Sequence, residues 1–226
     1  MRTLVIGDTH GCLDELLTLL EEAAIDLSRE RLILLGDYID RGPKSYQLLQ
    51  YLQKLQTTYG SENVVLLRGN HEQMAIDYLQ HHKSGWSYNG GHETMYSFAK
   101  HKADIVEIHD FLNSMPLYFT DDYYIYVHAG LKPGVALEEQ RPDDLLWIRE
   151  EFYRSAYDFG KTVVFGHTPT VNINGRYRYA MLHNKIALDT ACVFGGCLSA
   201  LELQGDSITQ VYMVTSGKNC RCPEIA

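Results

Sequence analysis

The sequence predicts an α/β fold in which two mixed β-sheets pack together and are flanked by helices. Two observations predict it. In the first seventy residues, short apolar runs alternate with amphipathic stretches of helical period, and a βαβαβ order of this kind forms a parallel sheet. In the second half of the 226-residue chain, short apolar runs follow one another with one helix-like stretch among them, which supplies the strands of a second sheet.

The first predicted strands are TLVIGD, RLILLGD and NVVLLRGN, and each ends at a polar Gly-Asp or Gly-Asn turn. Between them, LDELLTLLEEAA and SYQLLQYLQKLQ place apolar side chains at i, i+3 and i+4, which is typical of amphipathic helices. The ligand crevice of a parallel sheet lies at the carboxyl ends of its strands. The polar turns therefore mark the expected position of a site.

Residues 70 to about 113 are predicted to form a helical layer around the glycine-rich stretch SGWSYNGG. The later predicted strands are LYFT, YYIYVHAG, TVVFGHTP, KIALDT, CLSALEL and TQVYMV, and DLLWIREEFYRSAY is a predicted helix. No low-complexity tract or long linker interrupts the sequence, so we expect residues 1–226 to form a single domain.

The composition disfavours several classes of protein. Lys and Arg number 20 against 29 Asp and Glu, and the net charge of −9 argues against a surface that follows nucleic acid. The first apolar run is too short for a signal peptide or a membrane span, so no membrane partner is expected. Five cysteines are too few and odd in number for a disulfide framework, which favours the cytoplasm, and Cys220 and Cys222 are expected to be free thiols.

The predicted strand ends carry side chains of the kinds that bind metal ions. These are Asp8 and His10 in GDTHG, Asp37 in GDYIDRG, Asn70 in RGNHE, His128 in VHAG and His167 in GHTP. Any one of them could simply cap a helix or form a turn. Together, their carboxylate, imidazole and amide groups exceed the needs of one tetrahedral zinc and suit two divalent ions. Asp37 is the expected bridge, because its turn is central among the first three.

The same turns carry residues suited to phosphate chemistry. Arg41 and Arg68 have guanidinium forks that match phosphate oxygens, so a phosphoryl group is the expected ligand. Two ions could hold a hydroxide between them for in-line attack on phosphorus. His71 could act as the general acid with Asp40 orienting it, while the spacing equally allows His71 to be a third metal ligand or a helix cap.

In this order, GDTHG, GDYIDRG, RGNHE, HAG and GHTP resemble the motifs of the PPP-type metallophosphatases, the phosphoprotein phosphatases of the calcineurin-like superfamily. WSYNGG, LLWIRE and LDTACVFGG are most similar to the short bacterial and bacteriophage serine/threonine phosphatases, and the resemblance covers about residues 3–203. It implies a calcineurin-like fold of two sandwiched mixed sheets. Ala191 stands where we expect glycine in this family, which puts the local turn in doubt.

The resemblance also implies roles for individual residues. It assigns one metal to Asp8, His10 and Asp37, and the other to Asp37, Asn70, His128 and His167. It implies an acid pair of His71 with Asp40. It adds Arg149 of LLWIRE to Arg41 and Arg68 as a third phosphate-binding arginine.

We therefore expect a dinuclear metal-dependent phosphomonoesterase that hydrolyses phosphoserine and phosphothreonine in proteins by direct attack of a metal-bridging hydroxide. Mn²⁺ is the expected ion in vitro, with Fe, Zn, Mg or Ni as alternatives, and the expected partners of a monomeric chain are phosphorylated proteins or peptides. One alternative is a symmetrical diadenosine tetraphosphate hydrolase, a branch that usually lacks an Asp at the position of Asp40 and reads GNHD. Another is a catalytically inactive phosphoprotein-binding module, against which the intact ligand set argues.

The remaining candidates are weaker. His183 follows no strand–glycine turn and is not expected to bind metal, and the histidines of the helical layer are expected to be solvated or structural: His81, His82, His92, His101 and His109. Trp86, Tyr88 and Asn89 are candidates for the rim of a substrate site. Lys83 with His81 or His82 are the only basic groups near these aromatics, which disfavours a grip on a second nucleotide.

Overall fold

A computed structural model describes residues 1–81 and 85–217, and the predictions made for His82, Lys83, Cys220 and Cys222 lie outside these ranges. The strands are β1 (Arg2–Ile6), β2 (Arg31–Leu34), β3 (Val64–Leu66), β4 (Tyr118–Thr120), β5 (Tyr124–Val127), β6 (Thr162–Phe165), β7 (Ala180–Leu182), β8 (Lys185–Ala187), β9 (Cys197–Gln204) and β10 (Ser207–Thr215). They form two mixed sheets, in the orders β10-β9-β1-β2-β3 and β4-β5-β6-β8-β7.

The helices lie outside these sheets or in the turns between strands. They are α1 (Leu13–Ala23), α2 (Ser45–Tyr59), α3 (Asn70–His81), α4 (His92–Lys100), α5 (His109–Ser114), α6 (Pro142–Trp147), α7 (Glu150–Tyr153) and α8 (Thr170–Asn174). Short helical turns cover Ser87–Gly91, Ile105–Ile108, Leu137–Glu139 and Cys192–Phe194. Within the described residues, none of the helices is long and apolar enough to cross a bilayer.

The strand directions confirm the predicted βαβαβ start of the chain. β1, β2 and β3 are parallel, and β9 and β10 extend the same sheet in antiparallel fashion. In the second sheet, β5, β6 and β8 are parallel, with β4 and β7 antiparallel at the two edges. The parallel strands of each sheet therefore end at one edge, where their following turns can meet.

Alternation along the strands builds three apolar layers. In β1, Val5 packs between the two sheets with Tyr126 and Val164, whereas Leu4 and Ile6 face the helices of the first sheet. Successive side chains of a strand point to opposite faces, so one short apolar strand can serve both layers. A third cluster, on the outer face of the second sheet, packs α6 and α7 against β5 and β6.

Two details differ from the sequence prediction. The strand β7 is not predicted, since it is only three residues long. The predicted helix DLLWIREEFYRSAY is instead two short helices, because Arg149 has a non-helical backbone, with φ −132° and ψ −105°, between α6 and α7. Ile148, just before the break, is buried in the cluster that also contains Phe152. The chain therefore leaves the helix at a point where Ile148 and Phe152, on either side of Arg149, are both buried in the same cluster.

Candidate active site

The turns after β1, β2 and β6 hold several residues in a left-handed backbone conformation. The φ angles are 42° at His10, 54° at Asp37, 74° at Asp40, 66° at Arg41 and 62° at His167. This conformation is uncommon for residues other than glycine, and it concentrates at functional sites, where the surrounding structure holds it in place. The same region therefore combines strained backbone with the predicted ligand residues.

One group of side chains converges on the amide oxygen of Asn70. His128 Nε2 and His167 Nδ1 each lie 2.9 Å from Asn70 Oδ1, and His128 Nε2 lies 3.4 Å from Asp37 Oδ1. One ligand atom each of Asp37, His128 and His167 lies within 4.8 Å of the others. The structure thus brings together all the residues predicted for one of the two metals.

The protonation of these imidazoles fits a cation. His128 donates its Nδ1–H to the carbonyl of Leu35 at 2.9 Å, which leaves an Nε2 lone pair facing oxygen acceptors. Burial lowers the pKa of His128 and that of His167, so both rings are neutral near pH 7. Lone pairs and carboxylate oxygens that face one another form a site for a divalent ion of intermediate softness.

A second group lies on the other side of Asp37. His10 donates Nδ1–H to the carbonyl of Ile39 at 2.7 Å, and its Nε2 lies 3.4 Å from Asp37 Oδ2. Burial lowers the pKa of His10 to about 3, so its Nε2 also carries a lone pair. His71 Nε2 is 4.0 Å from the same Asp37 oxygen. Asp37 is therefore shared by the two groups, as the predicted bridge should be.

Asp8 stands beside these groups. Both of its carboxylate oxygens accept the backbone N–H of His167, at 3.2 and 3.0 Å. A Cβ at Gly166 would clash with this carboxylate, so glycine permits the close approach. Burial and the nearby charges of Asp189 and Asp37 raise the pKa of Asp8. A divalent ion would relieve this repulsion, and the role of Asp8 as a ligand stays a prediction.

Asp189 is a site residue that the sequence did not reveal. It is buried and lines the cleft together with His10 and Arg41, and its Oδ1 accepts the N–H of Ala191 at 2.9 Å. Burial raises the pKa of Asp189 to about 6. The motif LDTACVFGG contained the only signal, an acidic residue just after a strand. Ala191 has φ 61°, in the left-handed region that glycine tolerates best, so alanine forms this turn here with backbone strain that the expected glycine would not carry.

The predicted acid pair is formed. His71 Nδ1 lies 2.6 Å from Asp40 Oδ2, and both side chains are almost completely buried. Trp86 Nε1 donates to the same Asp40 oxygen at 2.8 Å, and Thr94 Oγ1 donates to Oδ1 at 2.6 Å. Burial acts to lower the pKa of His71, but Asp37 and Asp40 outweigh it and the net shift is upward.

Glu72 braces the turn that carries Asp37. Its carboxylate accepts backbone N–H groups of Asp37 and Tyr38 at 2.8 Å, of Gly69 at 2.9 Å and of Ile39 at 3.3 Å. Burial raises the pKa of Glu72 to about 7, and the charge of Asp37 adds to the effect. In the sequence, Glu72 is only a motif difference, because this chain has GNHE where the tetraphosphate hydrolases read GNHD. Its structural role is not predicted.

Two of the predicted arginines face one cleft. It has a volume of about 630 Å³, and Arg41, Arg149, His10 and His167 are among the residues that line it. Arg149 Nη1 donates to the carbonyl of His167 at 3.2 Å and to Thr168 Oγ1 at 3.1 Å. The break between α6 and α7 thus lets Arg149 reach the metal-ligand turns. Binding of phosphate by these arginines remains a prediction.

Arg68, the third arginine predicted to bind phosphate, has its hydrogen-bond partners in the helical layer. Its guanidinium donates to Gln73 Oε1 at 3.0 Å and to the carbonyl of Asn113 at 2.6 Å, so it joins α3 to the end of α5. Burial lowers the pKa of Arg68. In this structure Arg68 therefore braces the helical layer, and its role in binding phosphate stays a prediction.

Other candidates are placed as follows. Trp86 is 1% exposed and belongs to the core, which corrects its assignment to a substrate rim, whereas Tyr88 is 87% exposed. Asn89 Oδ1 accepts from Arg41 Nη2 at 3.2 Å. His183 is exposed in the β7–β8 turn.

Comparisons with known proteins agree with this geometry. Residues 1–196 match the Metallophos family, described as calcineurin-like phosphoesterase. Serine/threonine-protein phosphatase 1 of Salmonella typhimurium is 32% identical over 210 residues, which cover 88% of this chain and 91% of that protein. The symmetrical bis(5'-nucleosyl)-tetraphosphatase of Dechloromonas aromatica is 36% identical over 203 residues, which cover 88% of this chain and 69% of that protein. The crystal structure of a candidate diadenosine tetraphosphatase has a TM-score of 0.73 and 21% identity, with 96% of this chain and 95% of that chain covered.

Proposed function

Since the chain belongs to the calcineurin-like phosphoesterase family, we propose that it is a metal-dependent phosphomonoesterase that hydrolyses phosphoserine and phosphothreonine in proteins. The observation that carries this proposal is the buried pair of His71 and Asp40, at 2.6 Å, beside the shared carboxylate of Asp37. Two groups of ligand side chains and two cleft arginines complete the site.

The acid pair indicates the class of leaving group. His71 Nδ1 donates its hydrogen bond to Asp40, and Nε2 is the nitrogen nearer Asp37. Against the effect of burial, the charges of Asp37 and Asp40 raise the pKa of His71, which favours a proton on Nε2 as well. This Nε2–H is the proton that His71 would give to a departing oxygen. A serine or threonine alkoxide is a strong base that needs such a proton, whereas a departing nucleoside diphosphate does not. A dedicated buried acid therefore favours alkyl phosphate monoesters.

The ligand groups would hold two divalent ions, with Mn²⁺ expected to support activity in vitro. One would be bound by Asp37, Asn70, His128 and His167, and the other by His10 and Asp37 with Asp8. Bound ions would supply Lewis-acid stabilisation of the phosphoryl group and activation of a water molecule. Arg41 and Arg149, on the walls of the cleft, would orient the phosphoryl oxygens by charge-assisted hydrogen bonds.

A second candidate is symmetrical hydrolysis of diadenosine tetraphosphate. The similarity to bis(5'-nucleosyl)-tetraphosphatases favours it, as does the presence of Tyr153, Tyr177 and Phe194 among the residues that line the cleft. The reaction would use the same ions and arginines, but it would depend less on His71, because its leaving group is already weakly basic.

The experiment compares phosphoserine and phosphothreonine peptides with diadenosine tetraphosphate, using chain that has been chelated and reloaded with Mn²⁺. We expect higher kcat/KM for the peptides, and a larger loss on the peptides than on the tetraphosphate when His71→Asn is introduced. A preference for the tetraphosphate of about tenfold or more, with ADP as the product, would identify the second candidate. Tight binding of phosphopeptides without any hydrolysis would instead indicate a binding module.

A further inference from the structure

We propose that the segment Trp86–Gly91 of the helical layer positions both the phosphate-binding arginine and the acid pair, by clamping the turn Asp40–Arg41. Asn89 and Trp86 are the positioning residues, each acting through one residue of that turn. The inference rests on the proposed function, because it assigns roles around the same phosphoester site.

The contact of Asn89 with Arg41 sets the direction of the guanidinium. Asn89 Oδ1 accepts from Arg41 Nη2 at 3.2 Å, while the other terminal nitrogen, Nη1, lies 2.7 Å from His10 Nε2. The guanidinium carbon is 5.2 Å from the centre of the Phe194 ring, which flanks it within the cleft. Nη1 uses the His10 lone pair that a bound ion would take, so this contact would be released when an ion binds. The contact of Nη2 with Asn89 involves no ligand atom, and it would keep the guanidinium in the cleft. A long, flexible arginine is thereby directed before any phosphate binds.

The backbone of the segment supports the same turn. Asp40 and Arg41 both have positive φ, at 74° and 66°, and the Arg41 N–H donates to the carbonyl of Gly90 at 3.3 Å. A Cβ at Gly90 would come within 2.8 Å of Arg41 Cγ and 3.1 Å of Asp40 Cβ, and Gly90 itself has φ 100°. Only glycine fits this contact without strain, because it lacks a Cβ and tolerates positive φ. The glycine pair of WSYNGG therefore lets the segment lie directly on the turn.

The contact of Trp86 with Asp40 serves the acid pair. Trp86 Nε1 and His71 Nδ1 meet at one oxygen of Asp40, at 2.8 and 2.6 Å. Trp86 is buried and stacks at an angle on Tyr78, with ring centres 5.2 Å apart, so its N–H direction is fixed by packing. A carboxylate that is already oriented by a second donor holds His71 in one tautomer and one orientation.

The two positioning residues should have separable kinetic signatures. Asn89 acts on phosphate binding, so its loss should raise KM and weaken inhibition by inorganic phosphate. Trp86 acts on proton donation, so its loss should lower kcat for alkyl phosphates more than for aryl phosphates, whose leaving groups need less protonation. A residue that merely stabilised the fold would give neither pattern.

The test of Asn89 is a double-mutant cycle with Arg41. Inorganic phosphate is titrated calorimetrically into Mn²⁺-loaded wild type, Asn89→Ala, Arg41→Ala and the double variant, and KM and kcat are measured for an alkyl phosphate. We expect Asn89→Ala to weaken phosphate binding by about threefold to tenfold, which corresponds to one hydrogen bond. In the Arg41→Ala background the same change should have no effect. Tyr96→Ala, on the exposed face of α4, is the matched control in the same layer.

Additive effects of the two substitutions, or phosphate binding by Asn89→Ala that equals the Tyr96→Ala control, would overturn the proposal. An equal loss of alkyl and aryl activity in Trp86→Phe, shown to be folded by its thermal transition, would overturn it as well. Failure of the proposed function is distinguishable, because wild type would then prefer the tetraphosphate or hydrolyse no phosphomonoester, while the calorimetric cycle would still report on Asn89.

Discussion

The turns of the two sheets meet the demands of one site in different ways. The turn after β2 carries the charged carboxylate of Asp37, and three of its backbone N–H groups donate to the carboxylate of Glu72. The turns after β5 and β6 carry His128 and His167, whose burial lowers their pKa values, and the His128 ring donates to the carbonyl of Leu35. The Asp37 carboxylate itself accepts the backbone N–H of His71 at 3.1 Å. A buried charge needs donors of this kind more than a buried neutral ring does.

The two sheets also contribute to different steps: the first sheet to proton transfer and metal binding, and the second to binding alone. The first sheet's turn after β2 carries the shared ligand, Asp37, which lies near the acid, His71. The same turn carries Asp40, which accepts from Trp86 and Thr94 of the helical layer. The turns of the second sheet contribute ligands and the neighbouring Arg149. Substitutions in the first sheet should therefore change chemistry as well as metal content, whereas those near the second sheet should act on binding.

The largest effect is expected at Asp37, the residue shared by both groups. Asp37→Asn removes a charge that both ions would need, so we expect activity to fall by about 10⁴-fold or more, with loss of bound metal. Activity assays and elemental analysis of the purified variant measure the two effects. Asp143→Asn, an exposed carboxylate on α6, is the control and should match wild type. An active, metal-replete Asp37→Asn enzyme would contradict the shared role.

His71→Asn should separate chemistry from metal binding. We expect kcat for alkyl phosphates to fall by roughly 10² to 10⁴, because the proton donor is lost, while metal content is kept. The loss should be smaller for an aryl phosphate. Steady-state kinetics on both esters and elemental analysis check this. Equal losses on the two esters would contradict the role of His71 as acid, and loss of one metal would make it a ligand.

Arg149→Ala tests the side of the second sheet. Removal of a charge-assisted hydrogen bond should weaken substrate affinity and phosphate inhibition together, by about 1.5–3 kcal/mol, or roughly tenfold to a hundredfold. Inhibition constants for inorganic phosphate and KM for a phosphopeptide measure it. Unchanged phosphate inhibition would leave Arg149 as a brace for the carbonyl of His167.

The smallest catalytic effect is expected at Arg68. Arg68→Ala should destabilise the fold by about 1–2 kcal/mol, because the guanidinium joins Gln73 to Asn113, while phosphate inhibition stays as in wild type. Urea unfolding and the same inhibition assay give the two quantities. Weakened phosphate inhibition with unchanged stability would restore its predicted place in the clamp.

The fold and the ligand turns could be predicted from the sequence because both depend on local patterns. Short apolar runs that end at Gly-Asp or Gly-Asn fix the strands and bring their carboxyl ends to one edge, and the family resemblance is confirmed. Asp37 lies between His10 and His128 as its central turn predicts.

The supporting contacts could not be predicted in the same way. Arg68 and Arg41 both follow strand ends, yet only the packing of α3 and α5 turns one of them away from the cleft. Trp86 meets Asp40 across 46 positions of sequence, and Glu72 meets Asp37 across 35. Contacts of this kind depend on how the helical layer packs on the turns of the first sheet, and a local sequence pattern does not determine that packing.

The most direct test is the number of divalent ions per chain in fully active protein. Metal-free chain is titrated with Mn²⁺ while bound metal, by elemental analysis, and phosphomonoesterase activity are followed together. We predict that activity reaches its maximum at about two ions per chain and that a chelator abolishes it. Full activity with one ion or none would contradict a site in which Asp37 is shared between two metals.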